Sequence, residues 1–238
     1  MPTYTSGVRP PVYTIIGQYI DHLLPYLQST HSPERSYPLL IADHGYPPSD
    51  TPILYYNTEQ LTRKREYDRI TERLRNPDIV EIWDYSTANI AILRAAGFMN
   101  VRHVPVSTCP ETVEKLRYWI ATQPKEYDIA FCGAQSPRRD AILQPLQSRG
   151  LRVHNISAWG DERDKEITRC HVLLNIHYAD DFNVFESVRC DPLLAAGMPV
   201  ITETSLDNDP RCAVIVPYNE LVEQTISFLS HQRARSSP

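Results

Sequence analysis

Glycine is scarce in this chain of 238 residues, which has eight glycines against twenty prolines. The glycines are scattered, so the sequence contains no G-x-G-x-x-G segment and no Walker-type phosphate loop. These absences exclude the two common glycine-rich nucleotide-binding motifs.

Cysteine is also sparse and forms no C-x-x-C pair; the five residues are Cys109, Cys132, Cys170, Cys190 and Cys212. An odd and scattered set is typical of buried free thiols in a reducing compartment, so we expect a cytoplasmic protein. No His/Cys cluster has zinc spacing, and no nucleophile elbow or serine or cysteine triad pattern occurs. We therefore expect no metal and no cofactor.

The chain has no excess of positive charge and no long apolar run. Its formal net charge is −5, which argues against general nucleic-acid binding. No apolar run approaches the roughly 20 residues that span a bilayer, and the N-terminal residues lack the pattern of a signal peptide. The hydrophobic content of 42% is that of a globular protein.

Short apolar runs alternate with helical patterns along the whole chain. The predicted strands lie at residues 12–16, 37–42, 53–56, 79–83, 101–106, 128–133, 151–156, 171–177, 199–201 and 213–216. Such alternation favours an α/β fold with parallel sheets. Pro105 in the fifth run predicts an edge strand or an early end of that strand.

The alternation divides into two halves, and each half has the pattern βαβαβ. We expect two Rossmann-like domains, residues 1–117 and 118–238, that face each other across a cleft, with the last helix packing back on the first domain. A helix at residues 112–122 is the predicted crossover. A single doubly wound sheet is the structural alternative.

Residues 171–203 have the pattern strand, loop, helix, strand. The helix is predicted from Val184 to Ala196, and Gly197 ends it as a C-terminal cap. A parallel strand delivers the N-terminus of such a helix to the carboxyl edge of the sheet. Free N–H groups and the positive end of the helix dipole suit a phosphate or diphosphate there.

Two charged residues lie at the start of this predicted helix. Glu186, in the first turn, could accept hydrogen bonds from sugar or ribose hydroxyls, and Arg189, one turn later, could neutralise phosphate. The alternative is purely structural, because an acid stabilises the N-terminus of many helices without any ligand. The residues alone leave both interpretations open.

A second candidate phosphate site follows the strand at residues 128–133. Gly133 leaves the strand, Ser136 is the predicted cap of the next helix, and Arg138 and Arg139 fall in its first turn. Arginine there opposes the helix dipole, so contact with phosphate is one explanation. Two solvated arginines are the other.

Three more residues of the second half follow predicted strands. Trp159 either stacks on a nucleobase or packs against the protein. His177 directly follows an apolar strand, where a lone histidine is more often a hydrogen-bonded structural group than a catalyst, and Tyr178 comes next.

Strand ends in the first half offer candidates for a general base that activates a sugar hydroxyl. These are His44, Glu59 and Asp84, of which Asp84 is preferred because it directly follows a buried strand. Asp207-Asn208-Asp209 spells the D-x-D motif of metal-dependent sugar transferases of another architecture. It lies late in the chain before a proline, so we expect a surface turn instead.

Segments that cover most of the chain carry a family resemblance: residues 55–60, 82–86, 131–139, 150–153, 173–177, 185–189 and 197–200. In their order and spacing, the second half resembles the C-terminal domain of GT-B glycosyltransferases. The similarity is to the short, divergent group that includes the spore-maturation CgeB-like proteins and enzymes of large DNA viruses.

The resemblance implies a hexosyl- or pentosyltransferase that binds a nucleotide-sugar donor, with UDP-sugars favoured, in its second domain and a glycan or other hydroxyl acceptor in its first. The donor-binding residues are then Gly133, Ser136, Arg138, Arg139, Trp159, His177, Tyr178, Phe185, Glu186 and Arg189. Pro192 stands where the commoner GT-B pattern has a second glutamate, so retaining chemistry is not carried over.

The mechanism expected from this resemblance is glycosyl transfer without a metal. Arg138, Arg139 and Arg189, with helix N–H groups, would stabilise charge on the departing nucleotide diphosphate. Two alternatives stay open: a two-domain nucleotide-sugar epimerase, and a non-catalytic module that binds nucleotide-sugars.

Overall fold

The computed structural model describes residues 52–105 and 110–236, and the backbone of two short strands at residues 12–14 and 39–41. The chain divides into two compact units, Met1–Cys109 and Pro110–Pro238. The division lies just before the helix Pro110–Thr122, whereas the boundary expected from the sequence lies within this helix. The helix belongs to the second unit because Val113 and Leu116 are part of that unit's core.

The first unit contains a sheet of five parallel strands in sequential order. The strands are β1 (Val12–Thr14), β2 (Leu39–Ile41), β3 (Ile53–Asn57), β4 (Ile79–Asp84) and β5 (Val101–His103). Helix α1 (Lys64–Arg73) connects β3 to β4, and α2 (Thr87–Ala95) connects β4 to β5. Strand β5 lies at the edge of the sheet and ends before Pro105, which confirms the prediction made from that proline.

Both described helices of the first unit cover the same face of its sheet. Ile70 of α1 and Leu93 of α2 share one hydrophobic cluster with Ile53 and Ile82 of the strands. This follows from the sequential strand order, because right-handed crossovers that always step in one direction place their helices on one side.

The second unit contains another sheet of five parallel strands, in the order β10-β9-β8-β6-β7. The strands are β6 (Tyr127–Cys132), β7 (Val153–Ile156), β8 (Cys170–Asn175), β9 (Val200–Glu203) and β10 (Val214–Val216). The helices are α3 (Pro110–Thr122), α4 (Pro137–Ser148), α5 (Gly160–Thr168), α6 (Ser187–Ala196) and α7 (Leu221–Ser236). The chain steps from β6 outward to β7, then returns past β6 to β8, so the direction of the connections reverses there.

The reversal places helices on both faces of the second sheet. Side chains of α3, α5 and α6 pack with Ala130 of β6 in one cluster, and those of α4 and α7 pack with Phe131 in another. Successive residues of β6 thus enter opposite cores, as the two-residue period of a strand requires. The doubly covered parallel sheet is compatible with a Rossmann-like fold, and the predicted α/β class with parallel sheets is confirmed.

The four described cysteines are free thiols, as expected, and three of them are buried; Cys109 lies outside the described residues. Burial raises the pKa of Cys170 and of Cys212 to about 12. Within the described part of the chain, no helix has both the length and the apolar character needed to cross a bilayer.

Candidate functional site

The carboxyl edge of the second sheet carries the residues predicted to bind the donor. The loops after β6 and β8 flank the reversal of strand order, which is where ligands bind in open α/β sheets. The predicted residues follow three of the strands, β6, β7 and β8: Gly133, Ser136, Arg138 and Arg139; Trp159; His177, Tyr178, Phe185, Glu186 and Arg189.

Arg139 bridges the two loops that flank the reversal. Its Nη1 donates a hydrogen bond of 2.7 Å to the carbonyl of Ala134, and its Nε and Nη2 donate bonds of 2.9 and 2.7 Å to the carbonyl of Ile176. The residue is only 3% exposed. Burial, and then the nearby charge of Arg189, lowers its pKa to about 10. Three of the five N–H donors of Arg139 thus bind backbone carbonyls, and its contact with phosphate stays a prediction.

Gly133 makes this bridge possible. Its φ of 151° is one that residues with a side chain rarely adopt, and a Cβ there would lie 2.9 Å from Nη1 of Arg139. Ser136 caps α4 as predicted, since its Oγ accepts a hydrogen bond from the backbone N–H of Arg139. The same hydroxyl donates to the carbonyl of Tyr178 at 2.9 Å. Gly133 and Ser136 thus stabilise the loops at the carboxyl edge of the second sheet through contacts within the protein.

Arg138 also binds to the protein rather than standing in solvent. Its Nη1 and Nη2 donate to the two carboxylate oxygens of Glu203 at 2.8 and 2.6 Å, and its Nε donates to Asp180 at 2.7 Å. The guanidinium group lies 3.8 Å from the ring centroid of Tyr218. Burial works to lower the pKa of Arg138, but the hydrogen bonds to Glu203 and Asp180 outweigh it and raise the pKa. Arg138 is therefore not the solvated arginine of the structural alternative, and its contact with phosphate stays a prediction.

Glu203 is a central residue that the sequence interpretation missed. It is the last residue of β9, is 3% exposed, and accepts hydrogen bonds from Arg138 and from the backbone N–H of His177. The available signal was an acid at the end of an apolar strand. A buried carboxylate needs such partners, which a guanidinium group and a backbone amide supply.

His177 is a buried structural histidine, in agreement with the more common role of a lone histidine in this position. Its Nε2 lies 3.0 Å from Oγ of Ser205, and its Nδ1 lies 3.6 Å from a carboxylate oxygen of Glu203. Burial lowers the pKa of His177, although Glu203 partly opposes the shift. With 2% of its surface exposed, the residue is packed within the protein.

Helix α6 begins at Ser187, three residues later than the sequence predicted, so the expected start at Val184 is wrong. Glu186 is the residue before the helix and not part of its first turn, and Arg189 moves into that turn. Nη1 of Arg189 donates to Oδ1 of Asn175 at 3.0 Å, and its Nη2 lies 3.7 Å from Oε2 of Glu186.

The two charged side chains keep some contact with solvent: that of Arg189 is 13% exposed and that of Glu186 is 17% exposed. They place one positive and one negative group side by side at the N-terminus of α6. This pair retains both charge and some accessibility, as does Arg138, whose side chain is 18% exposed.

The three predicted aromatic residues have different environments. Trp159, just before α5, is 50% exposed, and Tyr178 is 40% exposed. The Tyr178 ring lies 5.5 Å from the Arg139 guanidinium group and packs edge-on against Phe182. Phe185 is 1% exposed and its side chain belongs to the core cluster with α6, while its contact with the donor stays a prediction.

In the first unit, Asp84 is fully buried at the end of β4. Its carboxylate accepts hydrogen bonds from Asn57 Nδ2 at 2.7 Å, from the backbone N–H of Ser86 at 2.8 Å and from Asn89 Nδ2 at 3.1 Å. Asp84 thus binds three N–H groups of the protein, and its role as the catalytic base stays a prediction.

Glu59 is the candidate base that keeps an accessible carboxylate. Its side chain is 33% exposed, and Oε1 lies 3.8 Å from Nη2 of Arg69. Its backbone carbonyl accepts hydrogen bonds from the side chains of Asn57 and Asn89, which fix the loop after β3. His44 lies outside the described residues.

No family model matches the sequence. The chain is 40% identical over 183 residues to uncharacterized protein L140 of Acanthamoeba polyphaga mimivirus, covering 74% of this chain and 58% of that protein. It is 34% identical over 197 residues to uncharacterized protein L138 of the same virus, covering 79% of this chain and 22% of that protein. The chain thus spans less than two thirds of the length of these relatives.

Among solved structures, the chain is similar to that titled "Crystal structure of the GsuK bound to ADP", with a TM-score of 0.28 and 13% identity over 96% of this chain and 71% of that one. A likeness of this degree is too weak to carry an argument about fold or ligand.

Proposed function

We propose that the chain is a glycosyltransferase that binds a nucleotide-sugar, with UDP-sugars favoured, at the carboxyl edge of its second sheet and transfers the sugar to a hydroxyl acceptor. The observation that carries the proposal is the reversal of strand order between β6 and β8, with Arg189 and Glu186 beside it. A topological reversal is the ligand position of open parallel sheets, and this one has a helix N-terminus and a cation next to it.

Arg189 and the first turn of α6 are the proposed diphosphate site. Nη1 of Arg189 donates to Asn175 at 3.0 Å, and the side chain is 13% exposed, so the guanidinium group can meet phosphate oxygens at this edge. The N-terminal dipole of α6 favours the same anion. As the nucleotide diphosphate departs, these positive groups would stabilise the charge that develops on it.

Glu186 is the proposed contact for sugar or ribose hydroxyls, which a carboxylate accepts well. Trp159, half exposed on the loop after β7, offers a flat apolar surface on which a nucleobase can stack. Arg138 and Arg139 have a different role in this proposal. They hold the loops in place, and their positive charges act on the ligand through the electrostatic potential of the site without contacting it.

The acceptor is proposed to bind to the first unit, with Glu59 as the base that activates its hydroxyl. Glu59 replaces Asp84 in this role because only its carboxylate is accessible. The proposed architecture is of the GT-B type, in which two Rossmann-like domains share a cleft, and the proposed chemistry needs no metal.

Calorimetry with UDP-, GDP- and dTDP-glucose tests the donor site. We expect one nucleotide to bind, and Arg189→Ala to weaken its binding by about a hundredfold, as the loss of a charged phosphate contact predicts. Arg152→Ala is the matched control, since Arg152 precedes β7 at the opposite edge of the same sheet and its side chain is 60% exposed. Equal affinity in wild type and Arg189→Ala would remove Arg189 from the site.

Product analysis separates the alternatives. A glycosyltransferase transfers the sugar to an added acceptor, an epimerase converts the donor when no acceptor is present, and a binding module does neither. Glu59→Gln should lower transfer by about a hundredfold while leaving donor affinity unchanged, because a general base acts on the chemical step. If Glu59→Gln transfers at the wild-type rate, the base lies elsewhere.

A further inference from the structure

The Asp207-Asn208-Asp209 segment follows β9 and touches the loop that leads into α6. Oδ1 of Asp207 accepts a hydrogen bond of 2.9 Å from the backbone N–H of Phe185. Next to it, the backbone N–H of Leu206 donates to the carbonyl of Asn183 at 2.8 Å. These two bonds pair the segment with the residues directly before Glu186.

The other two side chains of the segment are also used within the protein. Oδ1 of Asn208 accepts a bond of 2.7 Å from the backbone N–H of Ser205, which closes a turn. Asp209 accepts hydrogen bonds from Nε of Arg211 at 3.0 and 3.2 Å. The predicted turn is present, since the chain turns at Leu206 and Asp207. Over the described residues, no group of three or more His, Cys, Asp or Glu side chains could hold a metal ion.

Arg211 extends the contact to the helix itself. Its Nη2 hydrogen-bonds to Asp191 of α6 as well as to Asp209. Burial raises the pKa of Asp191, although the guanidinium group of Arg211 opposes the shift. The segment therefore holds the chain on both sides of Glu186 and Arg189, at Phe185 before them and at Asp191 after them.

We infer that Asp207 is a positioning residue for the donor site, and that the D-x-D segment acts here as a clasp on α6 and not as a metal ligand. This inference rests on the proposed function for its ligand. Phe185 precedes α6, and its backbone N–H donates to the Asp207 carboxylate. This hydrogen bond fixes the backbone just before the helix. This sets the direction of the first turn and hence of the Glu186 and Arg189 side chains.

The test compares Asp207→Asn with Asp207→Ala. Asparagine keeps an acceptor oxygen for the Phe185 amide, whereas alanine removes it. We expect Asp207→Ala to weaken UDP binding in calorimetry by about tenfold and to speed hydrogen exchange at the Phe185 amide by at least about tenfold. Asp207→Asn should stay within about twofold of wild type in both measurements. Asp161→Ala is the control, since its carboxylate is 65% exposed and pairs with Lys115.

A metal role gives the opposite pattern. It predicts that Asp207→Asn loses affinity as Asp207→Ala does, and that Mn²⁺ strengthens UDP binding by wild type; either result would overturn the clasp. Unchanged exchange of the Phe185 amide in Asp207→Ala would overturn it as well. If wild type binds no nucleotide at all, the proposed function fails, and the exchange measurement still decides whether Asp207 holds the start of α6.

Discussion

The two sheets of this chain have the same number of strands, and all neighbours in both are parallel, yet they differ in the order of those strands. The described strands of the first sheet follow the sequence from edge to edge, whereas the second sheet reverses between β6 and β8. Only a reversal separates two neighbouring loops toward opposite faces and leaves a crevice between them. Strand order, and not the presence of strands and helices, therefore distinguishes the unit in which we propose the donor site.

The polar groups at the two carboxyl edges differ accordingly. In the first unit a buried carboxylate, Asp84, is held by the neutral amides of Asn57 and Asn89. In the second unit a buried guanidinium group, that of Arg139, crosses the reversal and binds carbonyls on both sides. The hydrogen bonds of Asp84 connect the loops at the carboxyl edge of the first sheet. Those of Arg139 join the loops after β6 and β8, which leave the second sheet in opposite directions.

Removing Arg139 should have the largest effect on this contrast. Arg139→Ala leaves the carbonyls of Ala134 and Ile176 without the three hydrogen bonds that they accept. We expect the second unit to lose about 3–5 kcal/mol of unfolding free energy, while the first unit changes little. Urea denaturation followed by hydrogen exchange on peptides of each unit measures both. An equal loss of unfolding free energy in the two units would show that the stabilisation by Arg139 is not confined to the second unit.

The reciprocal change in the first unit is Asp84→Ala. It removes the acceptor for two side-chain amides and one backbone amide, so we expect a loss of about 2–4 kcal/mol, confined to the first unit. Nucleotide affinity should not change. A loss of UDP binding in a folded Asp84→Ala protein would contradict the assignment of the donor to the second unit.

Gly133→Ala sharpens the comparison at one position. We expect a loss of about 1–3 kcal/mol from backbone strain, and a further loss because the new Cβ displaces the guanidinium group of Arg139. Gly97→Ala in the first unit is the control, since Gly97 has a φ of 93° but no atom within 4 Å of the added Cβ. Thermal unfolding of both variants measures the difference; equal destabilisation would mean that Arg139 moves aside at no cost.

Acid should weaken the second unit slightly through His177. Because burial lowers the pKa of His177 in the folded protein, the unfolded chain binds this proton more readily. Stability from this group is therefore complete above its ordinary pKa of 6.5 and declines as the pH falls below that value toward the folded pKa. We expect the free energy of unfolding to fall between pH 7 and pH 5, and to depend less on pH in His177→Gln. The urea midpoints of wild type and His177→Gln at several pH values test this prediction. Midpoints that change equally with pH in both proteins would disprove it.

Local signals in the sequence predicted the local structure well. Ser136 caps α4 and Gly197 ends α6 with a φ of 90°, both as predicted. Each of these depends on residues within one helical turn, so the sequence pattern contains the whole interaction.

The features that the sequence analysis missed have a common cause. Each of them depends on contacts between residues that are distant in sequence. Arg139 is buried because the carbonyl of Ile176, 37 residues away, accepts its hydrogen bonds. The turn before α6 is held by the side chain of Asp207, which accepts a hydrogen bond from the amide of Phe185, 22 residues away. Strand order is likewise a long-range property. The composition of the chain predicts that an edge of polar residues exists, but the tertiary fold decides which of them face a ligand.

The bridge made by Arg139 has a consequence for recognition. Two loops that share one cation cannot separate while its hydrogen bonds hold, so this part of the edge is stiff before any ligand arrives. Binding of a small molecule there costs little entropy for ordering the protein. Its affinity then depends mainly on how well its own groups fit the site. Adjustment to different ligands is left to the segment between β8 and α6, so variation in specificity among related chains is expected to concentrate there.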